Sequence, residues 1–317
     1  MESRVKITFF MLVTNRDCII ADFSIKSYQK IKHVNRPFGK DEFVLYIYLN
    51  NLSEENKNFY LDKWKSYPYT FIYDNAEKIA EMQEKPYPGQ ITISPEGVPR
   101  YIDDYCEVYD ELWSTELKKL ATPYIASVDA DFEILNADFY FDLINCLDSN
   151  DDIIGASSCY AATSNSVVYD SYSGREIFFK ERNHTWFCIY KKRAFDLTSI
   201  SHYYFEEPTE NGHTLVYDSA AYFQYHLRQM GLKFISAPAS FFGSFVHYGA
   251  SSKNKTLNRH NINKYRIAFI STYKGLITKK NNLLIRAINN ITRKLSNYFF
   301  KNYLNAKSSE RSTYISQ

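Results

Sequence analysis

Apolar and polar positions divide the first 130 residues into short segments of two kinds. "VKITFFMLVTN" is a nearly unbroken apolar run ending in polar residues, which predicts a buried strand feeding a functional loop. "DCIIADFSIKSYQKI" carries its apolar positions at helical spacing. "EFVLYIYLNN", β-branched and aromatic, predicts a second strand. In "SEENKNFYLDKWKSYP", Ser53 and the acids after it mark a helix start, and the helix stops before Pro68. "YTFIYDN" predicts a third strand, residues 86–99 a Pro- and Gly-containing loop, and "DDYCEVYDELWSTELKKL" a further helix. "PYIASVD" closes the series as a fourth strand. Strands alternating with helices predict an α/β fold with a largely parallel sheet covered on both faces. Ligands of such sheets bind outside the carboxyl ends of the strands.

At that position, just past the fourth strand, stands "VDADF". Asp129-Ala130-Asp131 is the only DxD in the chain. A turn or helix cap accounts for a lone tripeptide of this kind. Two carboxylates at a strand end can also hold a hard divalent cation and leave positions for water and phosphate oxygens.

Composition narrows the picture. Across 317 residues, 45% hydrophobic and 17% aromatic side chains are ample for a large core and argue against disorder. Five cysteines without metal-type spacing argue against a zinc site or a disulfide framework, and for a reducing, cytoplasmic setting. "ITFFMLV" runs straight into "TNRD" with no cleavage pattern, so it reads as a strand rather than a signal peptide. The net charge of +2 hides an asymmetry. Residues 251–317 hold 14 Lys and Arg against one acid, +13, which leaves 24 basic and 35 acidic residues, −11, in the first 250. A basic appendage on an acidic body implies an anionic partner for the appendage.

Residues 6–252 resemble a GT-A-fold glycosyltransferase, closest in pattern to family 2, through features that occur in the family's order. "MLVTNRD" resembles the first nucleotide-binding loop, without its usual Pro. "VDADF" resembles the DxD motif, and "HTWFCIYKKRAF" the strand and loop that contact donor and acceptor, without the usual glycines. "LVYDSAAYFQYHLRQMG" resembles the segment carrying the catalytic base, with Tyr217 where an acid is usual, and "SFVHYGASS" the C-terminal metal-binding histidine region.

The resemblance implies roles for single residues. Asp131 and His247 would ligate Mn²⁺ or Mg²⁺, and Asp129 would bind the ribose or reach the metal through water. Asp218 would be the general base of an inverting transfer, with Glu206 and Glu207 as rivals. Thr14, Asn15 and Asn50 would contact the nucleotide, and Arg100 would position the base or the DxD carboxylates. Trp186 and His184 would form a sugar or acceptor platform. Each has a plainer reading: a satisfied histidine for His247, a helix cap for Asp218, a surface arginine for Arg100, a core tryptophan for Trp186. The family reading also implies a UDP- or GDP-sugar donor and a saccharide or lipid-linked acceptor. It divides the chain into a catalytic domain, 1–250, with a nucleotide half to about residue 131, and a basic helical extension, 251–317.

In that extension, "LLIRAINNITRKLSNYFFKNYL" repeats Leu284, Ile288, Ile291, Leu295 and Phe299 on one face and basic residues on another. An amphipathic basic helix lies on an anionic membrane surface or packs on the acidic body. No nucleic-acid motif accompanies the charge. Two further classes remain for comparison. A sugar-nucleotide pyrophosphorylase needs an early glycine-rich phosphate loop, yet the first glycine is Gly39. A catalytically degenerate protein that binds glycans or membranes would retain the fold with the missing glycines and Tyr217.

Overall fold

The computed structural model describes residues 6–15, 17–32, 43–50, 52–74, 112–113, 115–161, 168–170, 175–198, 205–217, 220–237, 243–248 and 258–277. Arg100, Asp218, the loop 86–99 and the amphipathic stretch 284–301 lie outside the described residues. The strands in chain order are β1 (Ile7–Thr14), β2 (Phe43–Asn50), β3 (Thr70–Asp74), β4 (Tyr124–Asp129) and β5 (Phe132–Ile134). There follow β6 (Ile153–Ser157), β7 (Tyr160–Ala161), β8 (Val168–Asp170), β9 (Arg175–Phe179) and β10 (Arg182–Asn183). The last are β11 (Phe187–Lys191), β12 (Phe205–Pro208), β13 (Thr214–Tyr217), β14 (Lys233–Ser236) and β15 (Phe245–His247).

Seven of them form the central sheet, in the order β14-β6-β11-β4-β1-β2-β3. All neighbours pair in parallel except β11, which runs against both β4 and β6. The apolar runs explain why this sheet is covered on both sides. Along β1, Phe9, Met11 and Val13 enter one core cluster while Phe10 and Leu12 enter the other. That period of two sends alternate side chains to opposite faces. The helices Cys18–Ser27, Glu54–Lys65 and Asp138–Ser149 supply the first cluster. Trp113, Phe195, Phe223 and Leu227 supply the second. Ser53 caps the Glu54–Lys65 helix, accepting the Asn56 N–H at 3.4 Å. Gly155 on β6 makes room for the Phe234 ring, which a Cβ there would approach to 2.5 Å and displace.

The order of connections places a crevice. From β1 the chain proceeds outward through β2 to β3, then returns to the other side of β1 as β4. The carboxyl ends of β1 and β4 therefore flank a switch point of the topology, where open α/β sheets bind ligands.

Beside this crevice, β5 and β15 form an antiparallel ribbon with His247 opposite Phe132. Its other edge is met by side chains of two successive helices, Cys18–Ser27 and Gln29–Lys32. Ser24 donates to the Phe132 carbonyl at 2.5 Å, Ser27 accepts from the Ile134 N–H at 3.0 Å, and Lys30 donates to the Ile134 carbonyl at 2.5 Å. The helix Ile262–Ile277 then closes over the ribbon. Its Ile262 and Tyr265 join Ile20, Val246 and Tyr248 in a third core cluster. The first part of the basic extension thus shares a core with the body.

Candidate functional site

Asp129 is the last residue of β4, and Asp131 lies in the turn before β5. His247 ends β15, which the ribbon brings back to the same turn. One ligand atom from each of the three lies within 4.8 Å of the others. His247 Nε2 is 3.0 Å from Asp131 Oδ1 and 3.3 Å from Asp129 Oδ2. Burial alone would disfavour a charged His247, but Asp131 and Asp129 outweigh it and raise its pKa to about 9. A proton is therefore what a cation would displace at neutral pH.

The donor set fits a hard divalent ion with borderline character. Two carboxylates suit Mg²⁺ or Mn²⁺, and an imidazole extends the preference toward Mn²⁺. Three protein ligands leave coordination positions for a substrate. Behind them the backbone is braced by rings: Phe132 stacks on Phe187 and on Phe245, each at 5.1 Å, and all three are buried.

Trp186 and His184 reach this centre by another path. Because β11 is reversed, its beginning arrives at the carboxyl ends of its neighbours, and the Trp186 carbonyl accepts the Asp129 N–H at 3.0 Å. The Trp186 ring stacks on His247 at 4.0 Å and on His184 at 4.0 Å. Two rings cannot occupy one face at that separation, so the indole lies between the imidazoles. Both its faces are taken in this conformation, and the stack fixes the ring plane of His247.

Thr14 and Asn50 stand side by side at the ends of β1 and β2. The Thr14 hydroxyl donates to Asp17 at 2.7 Å. The Asn15 side-chain oxygen accepts from the Ser53 N–H at 2.6 Å and from Asn56 at 3.2 Å, tying the loop to the next helix. Asn50 differs from both. Its side chain is buried, and neither its amide nitrogen nor its oxygen has a hydrogen-bond partner among the described residues. A buried amide without partners is costly unless a ligand supplies them.

Asp17, Glu133, Tyr248 and Arg266 were not foreseen as site residues. Burial raises the Asp17 pKa, the Thr14 hydrogen bond opposes this, and repulsion from Asp131 and Asp129 brings it to about 6. Asp17 is thus a third carboxyl beside the DxD pair, and the signal for it was an acid in the polar loop after the first strand. Glu133 was visible as a charge inside the apolar "DFEIL". Of the rivals for the base, Glu207 accepts the Tyr217 hydroxyl at 3.0 Å on the small sheet β12-β13-β9-β8.

No protein-family profile and no curated protein matches the chain. Among solved structures, a mannosyltransferase from Pyrobaculum calidifontis, in complex with GDP-Man and Mn²⁺, is similar at 9% identity and a TM-score of 0.45. The similarity spans 97% of this chain and 75% of that one. The mannosyltransferase Ktr4p from S. cerevisiae, in complex with GDP, is 13% identical over 78% of this chain and 72% of its own, with a TM-score of 0.37. TarS 1–349 from S. aureus is 11% identical over 98% and 92%, with a TM-score of 0.35. All three similarities are at low sequence identity.

Proposed function

We propose that the protein is a metal-dependent glycosyltransferase that moves a sugar from a nucleotide sugar to a hydroxyl acceptor. The observation that carries this reading is the convergence of Asp129, Asp131 and His247 at the carboxyl ends of β4 and β15, beside the switch point. A divalent cation bound there would neutralise the diphosphate and stabilise it as a leaving group. The chain's own residues do the rest. Asn50, with a donor and an acceptor to spare, binds the nucleoside at the end of β2, flanked by Thr14. Trp186 holds the plane of His247, and the aromatic backing of β5 and β15 keeps the ligand separation constant.

In the step we assign, an acceptor hydroxyl attacks the anomeric carbon as the bond to the diphosphate oxygen breaks. The hydroxyl proton passes to Asp218, and the sugar is transferred with inversion. Asp218 precedes Ala220, the N-cap of the Ala221–Gln229 helix, in sequence. Positioned proton transfer of this kind is worth about 10²–10⁴-fold in rate. The donor is a UDP- or GDP-sugar, and the acceptor a saccharide or lipid-linked saccharide.

The test is donor binding followed by turnover. Nucleoside diphosphates and their sugars should raise the melting temperature only with Mn²⁺ or Mg²⁺ present, since a ligand at 100 Kd stabilises by about 2.7 kcal/mol. Asp131→Ala should abolish that shift and leave the cooperative melt. The anomeric configuration of the product, read by NMR, should be opposite to the donor's. Equal binding in excess EDTA defeats the metal assignment. Metal-dependent binding without turnover would favour a catalytically degenerate binding module.

A further inference from the structure

Glu133 lies two residues beyond Asp131, is 2% exposed, and is not one of the metal-binding set. Three hydrogen bonds converge on it. Arg266 donates from Nε to Oε2 at 2.8 Å and from Nη2 to Oε1 at 2.5 Å, and the Tyr248 hydroxyl donates to Oε2 at 2.6 Å. The Arg266 guanidinium also lies over the Phe23 ring, 5.0 Å from its centroid.

Each partner belongs to a different segment. Glu133 is on β5, immediately after the DxD turn, and Tyr248 follows His247 at the end of β15. The Tyr248 N–H donates to the Asp131 carbonyl at 3.0 Å, so the two ligand-bearing arms are joined at the site itself. Arg266 comes from the helix Ile262–Ile277, in the basic extension. The clasp therefore ties that helix to both arms of the proposed metal centre.

A carboxylate buried this deeply persists only when paired and fully hydrogen-bonded. Yet apolar side chains of similar size would stabilise the same contact as well or better. What the ion pair adds is orientation, because a planar guanidinium fork meets a carboxylate in a fixed bidentate geometry. Resting on the metal-centre reading above, we propose that Arg266 is a positioning residue. It acts through Glu133 and Tyr248 to hold Asp131 and His247 at ligand separation.

The experiment is a Mn²⁺ titration of the full chain, without nucleotide, followed by the EPR signal of free and bound Mn²⁺. Thermal melting of each metal-free variant accompanies it. Arg266→Met and Glu133→Gln should each weaken Mn²⁺ binding by about tenfold, the lower end of what outer-shell partners of metal ligands contribute. Both should broaden the bound-ion spectrum as the ligand geometry varies. Arg266→Lys, which keeps the charge and loses the fork, should recover only part of the affinity. The double variant should be no worse than the worse single one, because both act through one contact. Leu147→Ala is the control. It opens the core at the Asp138–Ser149 helix, which contributes no residue to the clasp, and should lower the melting temperature without changing Mn²⁺ affinity.

If Arg266→Met does not melt cooperatively, Tyr248→Phe, which removes one hydroxyl, carries the same test with an expected loss of about threefold, a fraction of the outer-shell range. Unchanged Mn²⁺ affinity in a folded clasp variant overturns the proposal, as does an equal loss of affinity in Leu147→Ala. A wild-type chain that binds no Mn²⁺ overturns the metal-centre reading, and this inference with it.

Discussion

The Asn50 amide separates what folding needs from what binding needs. Buried with neither polar atom partnered among the described residues, it weakens the free protein unless a ligand completes its hydrogen bonds. Replacing it by valine, the apolar residue nearest in size that favours strands, removes an unsatisfied pair of polar atoms. Asn50→Val should therefore stabilise the ligand-free protein by about 1 kcal/mol, or about 2–4 °C in melting temperature. The same variant should bind nucleoside diphosphate more weakly, as read by calorimetry. A variant that melts lower and binds as tightly would show that Asn50 is not a ligand-facing group. Single residues also mark how far the site was legible. The DxD pair and His247 could be singled out because carboxylates and imidazole after apolar runs are conspicuous. Glu133 was equally conspicuous, but its partner Arg266 lies 133 positions along the chain. No local pattern connects residues so far apart.

At the scale of elements, the strands up to β4 and the helices Cys18–Ser27 and Glu54–Lys65 follow from periodicity, which is a local property and survives folding. Strand direction is not local. Nothing in "FCIYK" shows that β11 would insert backwards between β4 and β6, because that depends on pairings made across the chain. The turn into the Ala221–Gln229 helix is another feature that periodicity misses. Ala220 has φ of +62° and is fully buried, the one non-glycine residue with positive φ among the described residues. An L-residue in that conformation costs roughly 1–2 kcal/mol, while glycine loses about 0.4–1 kcal/mol through its freer unfolded chain. Ala220→Gly should thus stabilise the protein by about 0.5 kcal/mol, the difference between the two. Chemical denaturation would show it as a higher midpoint at constant slope. A lower midpoint would mean that the turn relaxes around alanine without strain.

For the whole molecule, the described part of the basic extension shares a core with the body, and its removal is predicted to differ from removal of the residues beyond it. Removing residues 281–317 should leave melting and nucleotide binding intact, because the helix Ile262–Ile277 and its core contacts remain. Binding to anionic vesicles should be lost, each basic residue near a membrane being worth about 1 kcal/mol. Binding by the intact chain should weaken with salt. Removing residues 258–317 should uncover Ile20, Val246 and Tyr248 and abolish the cooperative melt. Cosedimentation and calorimetry would separate these outcomes, and an intact chain that ignores anionic vesicles would make 281–317 something other than a membrane contact. One last property follows from the reversed strand. Since β6 leaves the sheet and β11 enters it at the same rim, paired at Ser157 and Cys188, everything between them is an excursion that starts and ends beside the site. Lengthening such a loop alters closure entropy only slowly and leaves the sheet's register alone. The middle of that excursion can therefore vary in length without disturbing the pairing of β6 with β11, provided Trp186 keeps its contacts with Asp129 and His247.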